Sequence, residues 1–62
     1  MSEPEEIFTV NQAAEFLAIH PKTLFGWAQS HRIPHVRLGT RAIRFRRSDL
    51  LAFLERFAVP SR

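Results

Sequence analysis

The hydrophobic spacing of this chain changes period twice, and those changes limit the elements it can form. Val10, Ala13, Ala14, Leu17 and Ala18 recur at i, i+3, i+4, i+7 and i+8, the pattern of a helix with one buried stripe. After Pro34 the period falls to two: Val36 and Leu38 alternate with His35 and Arg37, and Ile43 and Phe45 alternate with Arg44 and Arg46. From Leu50 the helical spacing returns through Phe53, Leu54 and Phe57. The expected fold class is therefore mainly α with a small β-hairpin.

Local signals mark the boundaries. Thr9 and Gln12 stand at the spacing of a capping box, which starts a first helix that should run to about Ile19. His20-Pro21 interrupts it, and Pro21 suits the first turn of a second helix, where its missing N–H costs nothing. Leu24, Trp27 and Ala28 fall on one face of that helix, as core residues. Lys22, Gly26 and Gln29 fall on the opposite face, flanked by Thr23 and Ser30. Two short helices joined so tightly form a helix-turn-helix. Pairing Leu38 with Ile43 and Val36 with Phe45 puts four apolar side chains on one face. Residues 39–42 then form the loop, and Gly39 can supply a positive φ if the turn needs one. His35, Arg37, Arg44 and Arg46 collect on the outer face of this two-stranded wing. Ser48 is the expected N-cap of the last helix, Asp49 complements its positive end, and Pro60 closes it. The order helix, helix, wing, helix is that of a winged helix-turn-helix over residues 7–58. Residues 1–6, acidic and proline-containing, are expected to be a disordered tail, and residues 59–62 a C-terminal tail.

Charge points to a polyanion. Between Phe16 and Ser48 there is no acidic residue, but there are Lys22, Arg32, Arg37, Arg41, Arg44, Arg46 and Arg47. The acids lie toward the two ends, so the formal net charge of +3 understates the local field. Positive charge on a small rigid scaffold suits duplex DNA. On the second helix, the Gln29 amide can pair with adenine, Lys22 with guanine or a phosphate, and the Thr23 methyl with thymine. The alternative is a polar face that is merely solvated. Gly26, unusual within a helix, either admits close approach of DNA or a partner or marks a tolerant surface position. Phe25 sits at the edge of the buried stripe. On the wing, Arg41 at the loop tip can enter a narrow minor groove. Arg37, Arg44 and Arg46 are spaced for successive phosphates, and Arg46 and Arg47 precede a helix N-terminus that also favours one.

Other functions find less support. His31 and His35 are four apart but separated by Pro34, so they should not share a helical face, and no cysteine is present to complete a zinc site. His35, beside the wing arginines, can assist phosphate binding when protonated, and His20 is placed to cap the second helix. No nucleophile–base pair, coupled carboxylates or glycine-rich phosphate loop marks an enzyme, and no cofactor is expected. No apolar run approaches the roughly 20 residues of a membrane span, and the acidic start does not resemble a secretory signal, so a cytoplasmic protein without membrane association is expected.

The run Phe8-Thr9-Val10-Asn11-Gln12-Ala13-Ala14-Glu15-Phe16-Leu17, then His20-Pro21-Lys22-Thr23-Leu24 and Trp27, resembles the small MerR-like winged-helix domains of the excisionase type. Arg32-Ile33-Pro34, Val36-Arg37-Leu38-Gly39, Arg44-Phe45 and Ser48-Asp49-Leu50 continue the same pattern in the same order. The resemblance implies a second helix in the major groove and a wing over the minor groove. Lys22, Thr23, Phe25 and Gly26 would occupy recognition positions, Arg41 the wing tip, and Arg37 and Arg44 the wing strands. The chain departs from the family pattern twice. A Tyr-Arg pair is common where Phe25-Gly26 stands, and a glycine usually ends the second helix where His31 stands. The implied role is that of an excisionase, a recombination directionality factor that loads cooperatively, bends DNA and assists an integrase or another DNA-bound protein. A small transcriptional regulator of the same fold is the alternative, and a protein-interaction adaptor with a basic face a third possibility.

Overall fold

A computed structural model of the chain describes residues 6–59. Its elements in order are β1 (Ile7–Thr9), α1 (Val10–Leu17), α2 (Pro21–Gln29), β2 (Val36–Arg37), β3 (Ile43–Arg46) and α3 (Arg47–Phe57). The expected class, three helices with a small antiparallel hairpin, is the one found. Most of the two expected tails, residues 1–5 and 60–62, lies outside the described residues, as does Pro60.

Both short helices begin as their sequences dictate. The Gln12 N–H donates to Thr9 Oγ1 at 3.2 Å and the Thr9 N–H to Gln12 Oε1 at 3.0 Å, which completes the capping box. His20 caps α2: its Nδ1 accepts from the Lys22 N–H at 3.1 Å, and Pro21 opens the first turn. Both helices also end alike, on a non-glycine residue in the left-handed region, Ala18 at φ 60° and His31 at φ 61°. After each, the chain folds back to satisfy terminal carbonyls, Ile19 N–H to Ala14 O (2.9 Å) and Arg32 N–H to Trp27 O (2.8 Å). Ala18, expected on the buried stripe, is instead the exposed residue of this cap, because the left-handed turn swings it off the helix face.

The core sits where α1, α2, β3 and α3 meet. Ala13 and Ala14 of α1 and Leu24 and Ala28 of α2 are buried, and the small alanines let the two helices approach. Ile33, Ile43, Phe45, Leu50 and Phe53 complete it. Trp27 is only half-buried, packed on Phe53 with ring centroids 5.8 Å apart. Of the stripe expected on α3, Leu50 and Phe53 are inside, whereas Leu54 and Phe57 are exposed, Phe57 at 65%. α3 rests on the sheet with one edge, and too little of the chain lies beyond it to cover a second row.

The hairpin is part of a three-stranded antiparallel sheet in the order β1-β3-β2. β1, read from sequence only as the approach to a helix, pairs Ile7 with Arg46, Phe8 with Phe45 and Thr9 with Arg44. On the other side Val36 pairs with Arg44 and Arg37 with Ile43, one residue out from the expected register. The loop is correspondingly shorter, closed by the Leu38 N–H donating to Ala42 O at 2.8 Å. Gly39 does not use its positive-φ freedom. A one-residue slip turns side chains to the other face, and Leu38 is indeed 67% exposed rather than buried beside Ile43. The slip is tolerated because β1 fixes β3 from its other edge, and β2, two residues long, has little apolar pattern to defend.

β1 also explains why α3 starts early. Pairing with Ile7 keeps β3 extended through Arg46, and the Arg47 N–H donates to Glu6 O at 3.0 Å, so β3 passes into α3 without a loop. Arg46 is therefore the N-cap residue and makes no side-chain cap bond. Ser48, expected in that role, lies inside the first turn. Asp49 stands in the first turn as expected, where a carboxylate is favourable.

Candidate nucleic-acid interface

α2 presents a polar face because its apolar residues are taken up by the core. Leu24 and Ala28 are fully buried, while Lys22, Thr23, Gly26 and Gln29 are exposed. Phe25 is 39% exposed, so this aromatic ring stands at the border of the face. A Cβ added at Gly26 would meet nothing within 4 Å, so no close approach within the chain explains the glycine. Ser30 is turned back onto the helix, its Oγ donating to Gly26 O at 3.0 Å. The exposed face therefore carries one cation, one amide and one hydroxyl around a small central position.

The arginines divide into two groups. Arg37 on β2 and Arg41 in the loop are exposed, and neither is ion-paired among the described residues. The others are engaged. Arg44 is half-buried and its Nη1 donates to Ile43 O at 2.9 Å. Arg46 Nε donates to Asp49 Oδ2 at 2.8 Å. Arg47 Nη1 lies 3.4 Å from Glu6 Oε1, and its guanidinium sits over the Phe16 ring at 5.9 Å. The stretch free of acids in sequence is thus supplied with two carboxylates in space, one across a turn of helix and one from β1.

The histidines are arranged differently from the expectation. His31 and His35 share no helix, yet their rings stack at 5.9 Å across the loop between α2 and β2. The proline that separates them along a helix does not separate them in a loop. Two arginines outside the expected set, Arg32 and Arg56, line the same concavity. Arg56 lies beyond the acid-free stretch and meets the loop only through folding. Among the described residues no three potential metal ligands cluster, and no helix is long and apolar enough to cross a membrane.

Two short helices at a tight turn, an arginine-bearing wing and a closing helix define a winged helix-turn-helix domain. The chain belongs to the Helix-turn-helix domain family, which it matches over residues 7–58, and is a DNA-binding domain of that kind. It is 43% identical over 51 residues to the transcriptional repressor DcmR of Methylorubrum extorquens, covering 81% of this chain and 19% of that protein.

Proposed function

We propose that this domain binds duplex DNA with a preference for sequence, with α2 in the major groove and the wing against the adjacent backbone and minor groove, in the service of transcriptional control. The observation that carries this reading is α2 itself, buried at Leu24 and Ala28 and open at Lys22, Thr23, Gly26 and Gln29, with space above Gly26 for a groove floor. Lys22, Thr23, Phe25, Gly26 and Gln29 face the bases. Arg37 and Arg41 supply phosphate and minor-groove contacts, and Arg44, Arg46 and Arg47 lend field from the sheet and its junction with α3. Similarity to a transcriptional repressor supports the regulatory role.

Electrostatic binding of this kind releases counterions. Log K for a duplex should fall with log salt at a slope of roughly −3 to −6, for several phosphate contacts. A fluorescence anisotropy titration giving a slope near zero would reject it, and would favour the protein-adaptor alternative.

The ordered resemblance to excisionase-type domains supports a second reading, in which neighbouring copies load cooperatively, bend DNA and assist an integrase. A single module buries only about 600–1,000 Å² of protein surface on DNA, so occupancy gains from neighbours. Circular-permutation gel shifts and footprinting separate the two. Cooperative occupation of closely spaced sites with bending favours the excisionase role, and one isolated site on straight DNA the regulator.

A further inference from the structure

The turn that ends α2 contains an expensive choice. His31 sits at φ 61°, a conformation that suits glycine and that costs an L-residue roughly 1–2 kcal/mol. Strain of this kind persists where the side chain it carries has work to do. The His31 ring stacks on His35 at 5.9 Å, and His35 is held by a 2.9 Å hydrogen bond between its Nδ1 and Ile33 O. With Nδ1–H as the donor in that bond, Nε2 of His35 is left for another partner. Both rings line a concavity of about 350 Å³ together with Arg32, Ile33, Pro34 and Arg56.

The charge around this concavity is all of one sign. The α2–β2 loop contributes His31, Arg32 and His35, and α3 contributes Arg56. β3 presents only the uncharged Phe45 ring to His35, 6.4 Å away. Neither Arg32 nor Arg56 is ion-paired among the described residues, no carboxylate lines the concavity, and Asp49 on α3 is bound to Arg46. Arg56 is steadied at the rim over the Phe57 ring, 5.9 Å from its centroid. Two permanent cations and two imidazoles without a counter-charge make a receptor for a tetrahedral oxyanion, and guanidinium forks are well matched to phosphate.

We infer that this concavity is a phosphate site, separate from the α2 face and the wing, which takes a backbone phosphate of the bound duplex between His31, Arg32, His35 and Arg56. The inference rests on the DNA-binding reading and adds a regulatory consequence to it. Imidazole gains its charge as pH falls through the physiological range, so this station strengthens on mild acidification. The third histidine works in the opposite sense. His20 Nδ1 accepts from the Lys22 N–H, and protonation removes that cap.

The test compares the wild-type chain with the double variant His31→Gly, His35→Gln on a labelled duplex, between about pH 7.5 and pH 5.5, the window in which imidazole is charged. Wild type should gain about five- to tenfold in affinity on acidification, and its salt slope should steepen by about 1, for one further phosphate contact. The variant, which keeps His20, should gain less than about twofold. His31→Gly alone should melt no lower than wild type, since glycine relieves the left-handed turn. A variant that keeps the full acid gain overturns the site while leaving duplex binding intact. A lower melting temperature for His31→Gly overturns it too, by showing that the ring serves the fold. If no duplex binds at either pH, both the site and the DNA reading fail. Inorganic phosphate that nevertheless perturbed the His31 and His35 ring resonances would then point to a free oxyanion as ligand, and the DNA assignment would fall.

Discussion

α2 and the junction of β3 with α3 both carry polar surface, and they use it differently. α2 shows one cation, Lys22, with neutral groups around Gly26, and its apolar side is sealed in the core. The junction gathers Arg46 and Arg47 in consecutive positions, but each is held by a carboxylate of the same chain, Asp49 at 2.8 Å and Glu6 at 3.4 Å. Between them lies the wing, with Arg37 and Arg41 exposed. A cation count along the sequence measures the field around a domain. It does not measure how many guanidinium groups are free to grip a ligand.

The largest expected effect removes what both regions stand on. Phe45 is fully buried on β3, and Phe45→Ala should cost about 3–5 kcal/mol, enough to unfold so small a domain in a thermal melt followed by circular dichroism. Trp27→Ala, at a half-buried position, should cost clearly less; an equal loss would show that the α2–α3 contact matters as much as the sheet.

Next in size is the split among the arginines. Arg41→Ala should weaken duplex binding by about 1 kcal/mol or more with no change in melting temperature, as expected for a charge-assisted contact. Arg47→Ala should mainly lower stability, by about 0.2–1 kcal/mol for an exposed pair. Equal losses of affinity in the two variants, measured by anisotropy, would erase the distinction between free and engaged arginines. The smallest change concerns the centre of the α2 face. Gly26→Ala should stabilise the helix by about 0.5–1 kcal/mol, since nothing lies near the added methyl. If affinity falls while stability rises, the glycine serves the groove; if affinity holds, the position is simply permissive.

What could be read from the sequence was local. The Thr9–Gln12 box, the entry of α2 at Pro21 and the His20 cap each involve residues within three positions, so spacing alone defines them. The candidate residues of α2 were legible for the same reason, since helical periodicity separates a buried Leu24 from an exposed Lys22. The sheet was not. β1 is three residues long and merges into the capping box, so no alternation announces it. Its partner β3 lies at the far end of the chain, and with it go the true hairpin register, the early start of α3 and the Glu6–Arg47 pair. Ile33 escaped too, because a residue just past a left-handed cap belongs to neither periodicity, although folding buries it almost completely. The pairing of His31 with His35 depends on a loop path that no spacing rule encodes.

The placement of β1 has a consequence for the order in which the molecule assembles. α1 and α2 meet through a tight turn, and β2 and β3 through a short loop, so both units can form from neighbouring segments. β1 must wait, because Ile7 can pair with Arg46 only after nearly all of the intervening chain has been organised, and long-range closure is slow. The first strand of the sequence is thus the last to be captured. Until then β3 has an open edge, which is a hazard in any crowded refolding mixture. Phe8→Ala should accordingly speed unfolding far more than it slows folding in stopped-flow experiments. A matching drop in the folding rate would place β1 in the nucleus instead. On this order of events, the stretch that begins the chain acts as a latch, closing over a wing and a helix already in position.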